Sequence, residues 1–159
     1  MKKTLLLIGM ILATQPTLAA DSAQLVGVWK LFSYQTEFQD GRPKRALFGE
    51  HPSGYLILTR EGRQMAVIEG EKRKPPSTDS DRADLLRTLI AYSGKYHVEG
   101  RKFITAVDAA WNPAWDGTDQ VRSYEIAGDR LTVTSMWQPS PNIPGSPISR
   151  GILVFDRVK

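Results

Sequence analysis

Arg122 and Tyr124 stand two residues apart in Gln120–Ile126, a run with the length and composition of a β-strand. Residues two apart on a strand share a face, so Arg122, Tyr124 and Ile126 point the same way. If that way is inward, a guanidinium enters the interior. A buried guanidinium needs a counter-charge, either a protein carboxylate or an anionic ligand. Glu37, Asp108 and Asp156 are the protein groups to consider, and such a structural pair is the favoured reading; the alternative is a ligand carboxylate, for which an arginine fork is well shaped. Trp111 and Trp115 fall in a turn-rich connection, Trp-Asn-Pro-Ala-Trp-Asp-Gly-Thr. Loop tryptophans either stack on a ligand at the rim of a pocket or plug one end of the fold.

Acid–base chemistry needs a carboxylate or histidine with a shifted pKa in a cleft. Asp108 closes a run in which Phe103, Thr105 and Val107 face one side and Ile104, Ala106 and Asp108 the other. Both faces are equally apolar, so the pattern does not choose the inner one. Near its strand end Asp108 would sit at a cavity mouth, although solvated or arginine-paired carboxylates are commoner. Tyr96 joins Asp108, Tyr124 and Arg122 as the residues a cofactor-independent isomerase or cyclase would draw on.

Other chemistries find little footing. His51 and His97 are the only histidines, far apart and in no metal-binding spacing, and cysteine is absent. No metal, disulfide or thiolate nucleophile is therefore expected. G-x-S-x-G, S-x-x-K and phosphate-cradling glycine loops are missing, and no cofactor is expected. Lys72-Arg73-Lys74 reads as a solvated loop face rather than a site for anionic lipid.

Residues 1–20 read as an export signal: Lys2 and Lys3, an apolar Leu5–Leu12, and Thr17-Leu18-Ala19 as a small-x-small motif, with cleavage after Ala19 or Ala20. No later run is apolar enough to span a bilayer, so no stable membrane insertion is expected after cleavage, and the location is periplasmic or secreted. The formal charge of +4 includes Lys2 and Lys3; without them 19 basic residues face 17 acidic ones, too even a balance to point to nucleic acid.

Residues 21–159 form one domain of short strands. Turns are marked by Asp40-Gly41-Arg42-Pro43, His51-Pro52-Ser53-Gly54, Glu61-Gly62, Glu99-Gly100 and Gly128-Asp129. Strands are predicted over 28–38, 55–60, 64–68, 92–98, 102–109, 120–126, 131–137 and 150–158. One helix is predicted over 79–91, capped by Thr78 and Asp81, with Ala83, Leu86, Leu89 and Ile90 on one face. The proline-rich 138–149 is predicted irregular. About eight strands and one inserted helix argue for an all-β, antiparallel barrel, since closure removes exposed edges.

Several segments resemble the bacterial and fungal lipocalin-like domain family. These are Leu25–Tyr34, Phe48-Gly49 with Gly54–Ile57, Glu61-Gly62-Arg63, Ala91–Tyr96, Asn112-Pro113 to Gly117-Thr118 with Arg122, and Gly128–Thr132. They span most of residues 21–159 in the family's order. The resemblance implies a compact lipocalin-like β-barrel, with or without a cavity, in a family whose members mostly lack an assigned activity. Some relatives accompany small-molecule biosynthesis. Relatives often carry a histidine in the strand that here reads Phe103–Asp108, so chemistry depending on it has no support in this chain.

Three functions are compatible with this reading. The leading one is an exported barrel that binds a small, partly apolar molecule in or at its mouth, with Arg122, Tyr124, Trp111, Trp115, Tyr96 and Asp108 as ligand-binding residues. An isomerase or cyclase would bring at least two of Tyr96, Asp108, Tyr124 and Arg122 within hydrogen-bond reach. A solid-core interaction protein would instead fill the barrel and expose an apolar patch, around Ile143 and Ile148. Small residues at Ala66, Ala106 and Ala109 favour space inside.

Overall fold

Alternation of inward and outward side chains, the signature of strands with one buried face, runs along a chain whose residues 23–159 the computed structural model describes. The export-signal reading of residues 1–20 lies outside the described residues. The strands are β1 (Gly27–Phe38), β2 (Ser53–Leu58), β3 (Arg63–Glu69), β4 (Leu89–Glu99), β5 (Lys102–Ala110), β6 (Asp119–Ala127), β7 (Arg130–Ser135), β8 (Gln138–Pro139) and β9 (Ile148–Arg157). Each of β1 to β6 pairs antiparallel with the next; β9 pairs with β7 on one side and β1 on the other, closing an eight-stranded barrel with β8 as an extra strand against β9. No helix among the described residues is long and apolar enough to cross a membrane.

The base of the barrel is filled. Trp29 is fully buried, its indole N–H donates to the Leu25 carbonyl at 2.9 Å, and the Arg157 guanidinium lies 4.0 Å from its ring. Leu131 and Phe155 complete this floor. Gly94 lets β4 pass close to β5, since a Cβ there would lie 2.1 Å from the Ala106 carbonyl oxygen.

Two bulges set which residues face in. On β1, Leu31 pairs with Phe155 and Ser33 with Val154, so Phe32 is the extra residue. It points outward, under the Arg130 guanidinium. The bulge changes the phase of the strand, so that Trp29 and Leu31 face in before it and Tyr34, Thr36 and Phe38 after it. On β5, Ser93 pairs with Ala109 and Gly94 with Val107, leaving Asp108 as the extra residue.

Among the described residues the longer helix is α1 (Asp79–Arg87), and it is shorter than the sequence predicts. Its start agrees: Thr78 and Asp81 form a capping box. Its end does not, because Leu89 and Ile90 belong to β4, where Ile90 pairs with Ile68. The expected apolar face is also lost, as α1 buries no residue. The 138–149 connection is irregular apart from the two residues of β8 and its last two, Ile148 and Ser149, which open β9.

Candidate functional site

The inner faces of β2, β3, β4, β7 and β9 converge on a cavity of about 70 Å³ that opens at a mouth. Its walls are apolar: Leu56, Ala66, Ile68, Ile90, Val133 and Leu153, with Phe103 and Phe155 beneath. Its mouth is polar, ringed by Ser135, Gln138, Ser140, Asn142 and Ser149. Ala66 supplies part of the space. Ala106 and Ala109, expected to do the same, sit on the exposed outer face of β5 and open nothing.

Arg122 enters this cavity from β6 and is 6% exposed. Its Nη2 donates to the Gln120 amide oxygen at 3.0 Å and its Nη1 to the Val121 carbonyl at 2.9 Å. A relay continues outward: the Gln120 amide donates to Thr118 Oγ1 at 3.1 Å, and Thr118 Oγ1 to the Trp115 carbonyl at 2.8 Å. The guanidinium carbon lies 5.5 Å from the Trp115 ring centre and 5.8 Å from that of Tyr92. Arg122 makes no ion pair among the described residues. The three carboxylates considered for it are held elsewhere: Glu37 by Arg150 and Lys44, Asp108 by Arg63, Asp156 by Arg130.

Tyr34 lies on the same cavity wall. Gly151 of β9 makes room for it, since a Cβ there would meet the tyrosine ring at 2.9 Å. Burial pushes the Tyr34 phenol above its usual pKa, while a hydrogen bond with Thr36 and the nearby positive charge of Arg122 pull it partway back.

The six residues singled out from sequence disperse. Arg122 and Trp115 line the cavity. Trp111 packs edge-on against Trp115, with ring centres 4.7 Å apart, behind the cavity wall rather than in it. The short helical turn Pro113–Trp115, started by the Asn112 side chain, swings Trp115 inward. Tyr124 and Tyr96 face inward but outside this cavity. The Tyr124 hydroxyl meets the Gly100 carbonyl at 3.4 Å, and that of Tyr96 donates to the Thr59 carbonyl at 2.9 Å. Burial and the charge of Glu61 push the Tyr96 phenol up.

Asp108 points away from the barrel interior. As the bulged residue of β5 it pairs with Arg63, whose Nη2 lies 2.9 Å from Oδ1, and accepts from Ser93 Oγ at 3.0 Å. The Arg63 hydrogen bond holds its carboxyl below the usual range, outweighing partial desolvation. The mouth position expected for Asp108 is therefore corrected, and so is its role as a counter-ion for Arg122. Asp108 thus lies apart from Arg122, while the Tyr96 and Tyr124 hydroxyls are turned to the Thr59 and Gly100 carbonyls rather than into the cavity that Arg122 enters.

Sequence reasoning missed Tyr34, Tyr92, Ser149, Gly151 and Asn142 as site residues. Gly151, a glycine within a predicted strand, was the available signal of a close approach. Asn142 carries no such signal. Its Nδ2 donates to the Arg87 carbonyl at 2.9 Å and the Leu89 carbonyl at 3.0 Å, clasping the proline-rich connection to the end of α1 across the mouth.

The family model described as a lipocalin-like domain matches residues 26–158. No curated protein matches the chain. Among solved structures, the crystal structure of a mutant of the fluorescent protein UnaG matches at 18% sequence identity and a TM-score of 0.38, covering 86% of this chain and 98% of that chain.

Proposed function

The chain belongs to the lipocalin-like domain family, and we propose that it is an exported barrel holding a small, partly apolar molecule in the cavity at its mouth. The observation that carries this reading is the cavity itself: apolar walls, a polar rim and one buried guanidinium, Arg122. That combination suits a ligand with an apolar body and few polar points. The space between Ala66, Tyr34 and Val133 weighs against the solid-core alternative. The absence of Tyr96, Asp108 and Tyr124 from the lining of the cavity that Arg122 enters weighs against the isomerase or cyclase alternative. Export to the periplasm or beyond is supported by Lys2-Lys3, the apolar run and the Thr17-Leu18-Ala19 motif.

Native mass spectrometry of the protein, purified gently from an exporting host, tests this reading. Excess mass that vanishes on denaturation is the expected result. A bare polypeptide mass that stays bare after incubation with apolar dyes and lipid extracts would sink it. Peptide mapping of the same sample reads the mature N-terminus, expected at Ala20 or Asp21.

A further inference from the structure

We propose that the molecule held in the barrel is an organic acid, and that its anionic group pairs with Arg122. The proposal rests on the binding reading above and names the class of ligand at that site.

The charge inventory of the cavity carries the argument. Among the described residues two charged ones line it, both arginines, and no Asp or Glu does. One of them, Arg150, is neutralised by Glu37 at 2.5 Å. Among the same residues Arg122 has only neutral acceptors, the Gln120 amide and the Val121 carbonyl, which engage two of its five N–H donors. Withdrawing a guanidinium from water without a counter-charge costs several kcal/mol, so folds rarely retain one that nothing neutralises. Each candidate carboxylate is committed to another cation. The missing partner is therefore an anion from outside the chain.

The surroundings narrow that anion further. Trp115 and Tyr92, whose ring centres lie 5.5 and 5.8 Å from the guanidinium carbon, attract the charge without neutralising it. A guanidinium's fork of N–H donors is matched to a two-oxygen acceptor such as a carboxylate. An inorganic anion would satisfy Arg122 but leave the walls formed by Leu56, Ile68, Val133 and Leu153 unfilled. An acid with an apolar body meets both demands.

Two dyes that differ by one sulfonate test this: 1-anilinonaphthalene-8-sulfonate and its neutral parent, N-phenyl-1-naphthylamine. Titrated into the purified protein, the sulfonate is expected to bind more tightly. Arg122→Gln should weaken the sulfonate about 10- to 100-fold, as for loss of a charged hydrogen-bonded contact. The neutral dye should stay within about twofold.

Gln120→Glu is the second variant, in case Arg122→Gln fails to fold. It sets a carboxylate against the guanidinium from within and should erase the preference for the sulfonate while leaving neutral-dye binding in place. Octanoate should displace the sulfonate dye, and sulfate and octanol should not. A dye preference unchanged in both variants overturns the organic-acid assignment with the binding site intact; displacement by sulfate as strong as by octanoate overturns it too. If neither dye is weakened by filling the cavity with Ala66→Leu, the cavity reading itself fails.

Discussion

Gln120 and Arg122, two residues apart on the inner face of β6, are joined side chain to side chain at 3.0 Å. The contact sets the guanidinium at a fixed angle in the cavity, and Thr118 and the Trp115 carbonyl brace the glutamine in turn. Gln120→Ala removes the only side-chain acceptor of Arg122 among the described residues. It is expected to destabilise the fold by about 1.5–3 kcal/mol, the range for a hydrogen bond to a charged group. Urea unfolding measures this; a loss below about 0.5 kcal/mol would show that the guanidinium readily finds another acceptor.

Gly94 tests how tightly the barrel wall is drawn. Gly94→Ala places a methyl group 2.1 Å from the Ala106 carbonyl oxygen and 2.8 Å from Thr105 Cγ2. A loss of about 3 kcal/mol or more is expected from overpacking against backbone. Gly100→Ala is the comparison, because its Cβ meets nothing within 4 Å while its φ of 58° strains any L-residue. There the loss should be about 1–2 kcal/mol. Equal losses at the two positions would contradict the close approach of β4 and β5.

Asn142 is expected to act as a clasp. Asn142→Ala deletes both bonds, to Arg87 at the end of α1 and to Leu89 at the start of β4, and should cost about 1–2 kcal/mol. The more telling readout is amide hydrogen exchange. Protection should fall around Arg87–Ile90 and Ser140–Ser146 and hold in β1 and β9. Unchanged exchange there would mean that packing, rather than the amide, keeps the connection over the mouth.

Asp108 predicts a pH signature. Its folded pKa lies below its unfolded value, so the stabilisation is fully present above the unfolded value of about 3.9 and is lost as pH falls through the folded pKa. The urea midpoint of the natural protein should therefore exceed that of Asp108→Asn at pH 6. The difference should shrink steadily below about pH 4. Exposure of the pair to solvent keeps the effect modest. A gap that widens on acidification would reverse the assigned sign.

Much of the barrel was legible because local chemistry marked it. Glu61-Gly62 joins β2 to β3, Thr78 and Asp81 cap α1, and Gly128-Asp129 joins β6 to β7, all where turn and capping rules put them. That Arg122 and Tyr124 share a face was legible once β6 was recognised as a strand, whereas the choice of that face as the inner one rests on the structure. The side taken by Asp108 was not, because Phe103-Thr105-Val107 and Ile104-Ala106 are equally apolar and the bulge is a property of pairing. The end of α1 was misread for a related reason: Leu89 and Ile90 continue the helical period but are claimed by Ile68 across the barrel. Tyr34 and Asn142 reach the site through contacts with β9 and the end of α1, which no local pattern encodes.

The ladder between β1 and β9 joins the two ends of the domain, and Glu37 and Arg150, which it brings together, are 113 residues apart. Closing so long a loop is slow, because its entropy must be lost before the contacts that reward it can form. β9 is also the partner of β7, so until Ile148–Arg157 is in place two strands present open edges at once. Such edges are templates for pairing with another chain. A polypeptide that stops short of β9 is thus not a smaller barrel but a seed for aggregation, and folding of the domain can finish only once Ile148–Arg157 has been made.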